Sequence, residues 1–126
     1  MLPAEHRLRS SQDFTAVTRG GAKARCGALV VYLLPNFSAD DSAAPVAARF
    51  GLVVGKSVGG SVVRHQVSRR LRAQLSRRTG SVAAGARVVV RALPQAAAQP
   101  SELIGRDLDR AFGKLSGAGR SSGVLR

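Results

Sequence analysis

The chain has no Trp, one Tyr (Tyr32), four Phe and one Met in 126 residues. Its core must therefore be filled by aliphatic side chains and alanine. Hydrophobic residues make up 44% of the sequence, enough for one compact domain and more than a wholly disordered chain carries. Cys26 is the only cysteine, which excludes an intrachain disulfide and any cysteine-based metal cluster. No apolar run approaches the roughly 20 residues that cross a bilayer. Glu5, His6, Arg7 and Arg9 near the start are not followed by an apolar stretch, so a signal peptide is not read there and a cytoplasmic location is the expectation. His6 and His65 stand far apart, and no HExxH, phosphate-binding glycine loop or paired-carboxylate pattern occurs. The adjacent Asp40 and Asp41 read as a solvated turn. The expectation is therefore no catalytic residue and no metal site in the protein.

Acid is also scarce. Asp and Glu number 7 against 20 Lys and Arg, a net charge of +13. Of the basic residues only Lys23, Lys56 and Lys114 are lysine. No acid lies between Ser42 and Ser101, a stretch holding ten basic residues from Arg49 to Arg91. A charge of that size implies a polyanionic partner, nucleic acid first and an anionic membrane surface second. Arginine suits the first, because its planar fork binds two phosphate oxygens and stacks on bases.

Along the chain, Ser10, Ser11 and Asp13 offer N-cap chemistry for a helix to about Arg19, with Phe14 and Val17 on one face. Gly20-Gly21 ends it, glycine being the residue that accepts a left-handed C-terminal conformation. Residues 28–34 and 49–55 read as strands, joined by a polar, acidic connector over 36–48 of hairpin character. After Gly59-Gly60, Ser61 can cap a helix running to about Arg78, with Val63, Val67, Leu71 and Leu75 as its apolar stripe. Residues 86–92 form a third strand, and 95–99 an Ala/Gln linker. A last helix begins at Pro100-Ser101, burying Ile104, Leu108, Ala111, Phe112 and Leu115. This order describes an α+β or α/β sandwich, helices packed on a small sheet, as a single nucleic-acid-binding domain over 1–115. Residues 116–126, rich in Ser and Gly, read as a disordered basic tail.

The informative segment runs from Lys56 to Arg72. On a helical wheel Arg64, Ser68 and Arg72 form one ridge beside the stripe, His65 and Arg69 face solvent, and Arg70 flanks the other side. The bland interpretation is a solvated amphipathic helix whose arginines pair with nearby acids. No acid exists in the segment, so a nucleic-acid backbone is the partner that resolves the repulsion. The helix N-terminus behind Gly59-Gly60 adds free N–H groups suited to a phosphate.

This segment resembles the signature of the bacterial ribonuclease P protein family, Lys-x-x-Gly-Asn-x-x-x-Arg-Asn-Arg-x-x-Arg-x-x-Arg following a strand. Lys56, Gly59, Val62, Arg64, Arg69, Leu71 and Arg72 match. Gly60, His65, Gln66 and Ser68 depart from it, and Gln66 takes the cation away from that position. The stretch from Leu8 to Val17 resembles the family's opening, and Gly51–Lys56 its strand before the signature. The resemblance implies a two-layer α/β sandwich, with a four-stranded sheet and a left-handed β-α-β crossover. It implies an RNA-binding surface at Lys56, Arg64, His65, Ser68, Arg69, Arg70 and Arg72 that faces a catalytic ribonuclease P RNA. It also implies a cleft between the first helix and the sheet for the single-stranded 5′ leader of precursor tRNA. Phe14 matches that cleft's aromatic position; Val17, Tyr32 and Phe50 are its further candidates, and Thr18 stands where a second aromatic is common. Cleavage would be the endoribonuclease activity of a ribonucleoprotein, using Mg²⁺ bound mainly by the RNA, with no obligate protein partner. A ribosomal-protein-like binder of structured RNA, without a role in cleavage, explains the charge and the α+β pattern but not the Gly59-to-Arg72 signature. A major-groove DNA reader would want a neighbouring helix where a strand stands. A membrane-surface helix would want interfacial aromatics that are lacking.

Overall fold

Arg87–Ala92 carries Val88, Val89 and Val90 in succession, and all three are fully buried. A strand apolar on both faces belongs inside a sheet, and the computed structural model, which describes residues 11–34, 48–82 and 86–121, has it there. The elements are α1 (Ser11–Gly20), β1 (Ala22–Cys26), β2 (Leu29–Leu34), β3 (Arg49–Val53), α2 (Ser61–Ser76), β4 (Arg87–Ala92) and α3 (Ser101–Ser121). Short 3₁₀ turns occupy Thr79–Ser81 and Pro94–Ala98. The four strands form one mixed sheet in the order β1-β2-β4-β3, with β2 antiparallel and β3 parallel to β4. The fold is α+β.

The sheet order corrects the hairpin expected between residues 34 and 49. β2 and β3 are not neighbours, because β4 stands between them. The doubly apolar strand takes the inner place, and β3, α2 and β4 form the β-α-β crossover. Most of the connector, residues 35–47, lies outside the described residues. The hairpin instead joins β1 to β2. β1 was not legible as a strand, since Ala-Lys-Ala-Arg-Cys is neither β-branched nor aromatic. It alternates all the same, Ala24 and Cys26 inward and Lys23 and Arg25 outward. Its turn pivots on Gly27, whose φ of 58° is left-handed. The carboxylate of buried Asp107 from α3 sits where a Gly27 side chain would go, and accepts a long bond from the Ala28 N–H at 3.4 Å.

Pleating gives the sheet two unlike faces. One carries Ala24, Cys26, Leu29, Val31, Leu33, Phe50, Val88, Val90 and Ala92, and forms the main core with α2 and α3. Val67, Leu71 and Leu75 of α2 are fully buried there, as are Ile104, Leu108 and Ala111 of α3. Phe50 and Phe112 meet edge to face, centroids 6.4 Å apart at 65°. Among the described residues the other face receives only α1, whose Val17 packs on Val89 beside Phe14, Tyr32 and Leu34.

Three terminal details differ from the sequence reading. Neither Gly20 nor Gly21 adopts a positive φ. Gly21 is needed for proximity instead, since a Cβ there would lie 2.6 Å from the Val17 carbonyl oxygen and 2.7 Å from that of Leu33. Ser61 is the first residue of α2 rather than its cap; Gly60 caps it, without a side-chain hydrogen bond. The backbone of α3 continues to Ser121, past the end expected at residue 115 and into the segment read as a tail. Once nucleated on a buried face, a helix propagates at one hydrogen bond per residue, and no proline follows Pro100 to stop it. Residues 122–126, residues 1–10 with the Ser10 cap and the Leu8 opening, and the Ser11 and Asp13 side chains lie outside the described part.

Candidate nucleic-acid interface

α2 is oriented by its apolar stripe, so the opposite residues are left to solvent. His65, Arg69 and Arg72 are exposed, and Arg64 and Ser68 are half-buried. Val54, Ser61, Arg64, His65, Ser68 and Arg72 line a groove of about 270 Å³ along the helix. The ridge at 64, 68 and 72 thus forms a wall of one continuous trough. Lys56 is exposed in the turn that leads into it. The Arg64 Nε is buried and has no hydrogen-bond partner among the described residues. The signature glycine has a local cause here. Gly59 has φ 155°, and a Cβ on it would come within 2.9 Å of Val63. Because Gly60 brings no side chain to the helix end, the first-turn N–H groups stay open to an anion.

Not every arginine of the segment serves this face. Arg70 turns the other way and donates through Nη1 to the Gln99 carbonyl at 3.1 Å, tying α2 to the residues before α3. Arg70 is half-buried and spends one donor there, so it stands apart from the trough lined by Arg64, His65, Ser68 and Arg72. Arg78 is also engaged: Nε and Nη2 donate to Asp109 Oδ1 and Oδ2 at 2.7 and 3.2 Å. Its Nη1 donates to the carbonyl and Oε1 of Gln74 at 3.0 and 2.7 Å. Buried Gln74 in turn donates to Ser101 Oγ at 2.7 Å. Gly105 makes room for this cluster, since a Cβ there would lie 2.7 Å from Gln74 Oε1. The hydrogen bonds from Arg78, and then its charge, hold the Asp109 carboxyl below its ordinary value.

The second surface lies on the sheet face that α1 only half covers. Register aligns Lys23, Tyr32, Val89 and Gly51 across all four strands, and Arg25, Val30, Arg91 and Val53 in the next row. α1 sits over Val89 and Gly51. A Cβ on Gly51 would fall 2.4 Å from Cζ of Phe14, so the ring lies directly on the glycine backbone. Phe14 and Tyr32 are half-buried, and Lys23, Arg25, Val53 and Arg91 are exposed around them. None of these three cations makes an ion pair among the described residues. Two half-covered rings and three free cations along one open strip suit a single strand, which is held by stacking and by charge.

Two of the residues expected there do not reach the strip. Phe50 is 2% exposed and belongs to the opposite face, in contact with Phe112. Its neighbour Gly51 is the residue that faces the cleft. Val17 is fully buried against Val89 and supports the cleft from beneath α1. Lys23, Arg25 and Arg91 were missed as a group. Their one signal was charge alternating with small or apolar residues in β1 and β4, and it becomes legible only when the strands are in register. Thr18 turns its hydroxyl back to the Phe14 carbonyl at 3.0 Å.

Comparison with known proteins converges. A family model described as ribonuclease P matches residues 2–116. The chain is 43% identical over 124 residues to the ribonuclease P protein component of Acidothermus cellulolyticus, covering 98% of this chain and 99% of that one. It is 45% identical over 123 residues to that of Streptomyces bikiniensis, covering 94% and 98%. Among solved structures, the fold is similar to the RNase P protein of Staphylococcus aureus (TM-score 0.71, 20% identity, 86% of this chain and 93% of that one). It is also similar to that of Thermotoga maritima (TM-score 0.67, 22% identity, 82% and 92%).

Proposed function

This chain belongs to the ribonuclease P protein family, and from that premise we propose that its two basic surfaces hold two different RNAs. As a subunit of the ribonuclease P ribonucleoprotein, an endoribonuclease of tRNA processing, it works with the ribonuclease P RNA. The trough on α2, with Arg64, His65, Ser68, Arg69 and Arg72, takes the backbone of that RNA. The strip beneath α1 takes the single-stranded 5′ leader of precursor tRNA. The observation that carries the second assignment is Phe14 lying on Gly51 beside Tyr32, at the edge of a sheet face lined by Lys23, Arg25 and Arg91.

In this division the protein supplies charge and position, and no side chain of its own reacts. Its cations on both surfaces lower the repulsion between two polyanions, and the strip fixes where the leader leaves the cleavage site. Mg²⁺ supplies metal-assisted phosphodiester hydrolysis when bound to the RNA. Mg²⁺ wants several converging oxygen ligands, and among the described residues no three acidic, His or Cys side chains converge. The α-helices offer no span long and apolar enough to cross a membrane among the described residues, and the cytoplasm, where tRNA precursors are made, is the location proposed.

The test is cleavage of 5′-labelled precursor tRNA by a matched ribonuclease P RNA at low Mg²⁺, with and without the protein. Cleavage at the mature 5′ end that depends on the protein, with tighter binding of long-leader than of leaderless substrate, is the expected result. Equal stimulation of both substrates would remove the leader assignment, and no stimulation of either would remove the whole reading.

A further inference from the structure

In the sequence the last helix looks nearly balanced, because Glu102, Asp107 and Asp109 accompany Arg106, Arg110 and Lys114. The structure uses up two of those acids. Asp107 is 9% exposed and turned onto the Gly27-Ala28 turn of the β1–β2 hairpin. Asp109 is held by Arg78 of the segment after α2. Arg106, Arg110 and Lys114 are all exposed, and follow one another at four-residue steps along the outer side of α3. Among the described residues none of the three side chains makes an ion pair or hydrogen bond. Glu102 stands one turn before Arg106, but Arg110 and Lys114 have no exposed carboxylate three or four positions away. Nor does the helix dipole call for them. Lys114 lies about two turns before the end of the helix at Ser121, and the dipole acts within the last turn.

We infer that this stripe is a further RNA-contact surface, a track of three cations about 12 Å long that receives the phosphate backbone of the ribonuclease P RNA. The inference rests on the family reading and extends it beyond the trough on α2. Charge complementarity selects the class of partner, since three unpaired cations in a row on a protein of net charge +13 attract a polyanion. Position selects which RNA. α3 packs beside α2 on the core side of the sheet, and the whole sheet separates the stripe from the strip under α1. A strand lying along the trough of α2 and one lying along α3 therefore approach the protein from the same layer.

The experiment compares the full chain with the triple variant Arg106→Ala, Arg110→Ala, Lys114→Ala, measuring binding to matched ribonuclease P RNA over a salt series. For two or three lost phosphate contacts, the slope of log affinity against log salt should fall by about 1.4–2.7. The variant Arg106→Lys, Arg110→Lys should keep the wild-type slope, because it keeps the charges. The ratio of affinities for long-leader and leaderless precursor should not move. A triple variant with unchanged slope would overturn the inference, as would one that loses precursor binding while holding the ribonuclease P RNA normally. Wild-type protein that fails to bind the matched RNA at all would instead count against the family-based reading.

Discussion

The two faces of the sheet are made by the same four strands, yet they differ in almost every physical respect. On the core side every position is apolar, and α2 and α3 close over it, with Phe50 against Phe112. On the α1 side one short helix covers part of the surface, and Lys23, Arg25 and Arg91 remain in water. Neighbouring residues thus belong to different jobs. Phe50 anchors the fold, whereas Gly51, one step on, leaves room for the ring of Phe14. A binding surface can sit on this sheet without weakening it, because the two faces share a backbone but few side-chain contacts.

The sharpest way to break that comparison is to truncate a ring on each face. Phe50→Ala should cost about 3–5 kcal/mol of stability, measured by denaturant unfolding, since it empties a closed core. Phe14→Ala should leave a folded protein that distinguishes long-leader from leaderless precursor less well. Equal destabilisation by the two would mean that α1 is as much core as α2. Next in size is Gly51→Val, which forces a side chain into the Phe14 ring. It should cost about 1–3 kcal/mol by overpacking and weaken leader binding along with stability.

The arginines of α2 give a finer contrast. Arg64→Ala, Arg69→Ala and Arg72→Ala should each lower the salt slope of RNA binding by about 0.7–0.9, with thermal unfolding nearly unchanged. Arg70→Ala should do the reverse, losing about 1 kcal/mol of stability with its bond to Gln99 and leaving the slope alone. Matching slopes for Arg69→Ala and Arg70→Ala would undo the distinction between the two sides of the helix. The smallest effect expected is in acid. The Asp109 carboxyl titrates below its ordinary 3.8 because of Arg78. Its contribution is therefore full above the unfolded value and fades as pH falls through the lower, folded one. With Asp109 well exposed, that contribution is below about 1 kcal/mol. Asp109→Asn should flatten this part of the acid-unfolding curve and change little at neutral pH.

How much of this was legible beforehand depended on the range of the interactions involved. The stripe Val67, Leu71 and Leu75, the buried face of α3, and the run Val88–Val90 were readable because helical and strand periodicities are local. β1 escaped notice because its alternation is carried by alanine and cysteine, which pack only once β2 is beside them. The cleft was half legible: Phe14 and Tyr32 could be named, while Phe50 and Val17 were turned inward by the packing.

By itself the sequence determined that this is a small basic α+β domain with an arginine-bearing helix after a strand, and through its signature residues it pointed to the family. Composition, charge and periodicity carry that much because each is a property of the chain or of a few adjacent residues. Only the tertiary structure decided the order of the strands, which face each strand residue serves, and which charges remain free. Arg70 is turned to Gln99, Arg78 is tied to Asp109, and Asp107 of α3 is drawn onto a turn some 80 residues earlier. A charge is available to a partner only when nothing in the folded chain has already claimed it, and those claims are made between residues far apart in sequence.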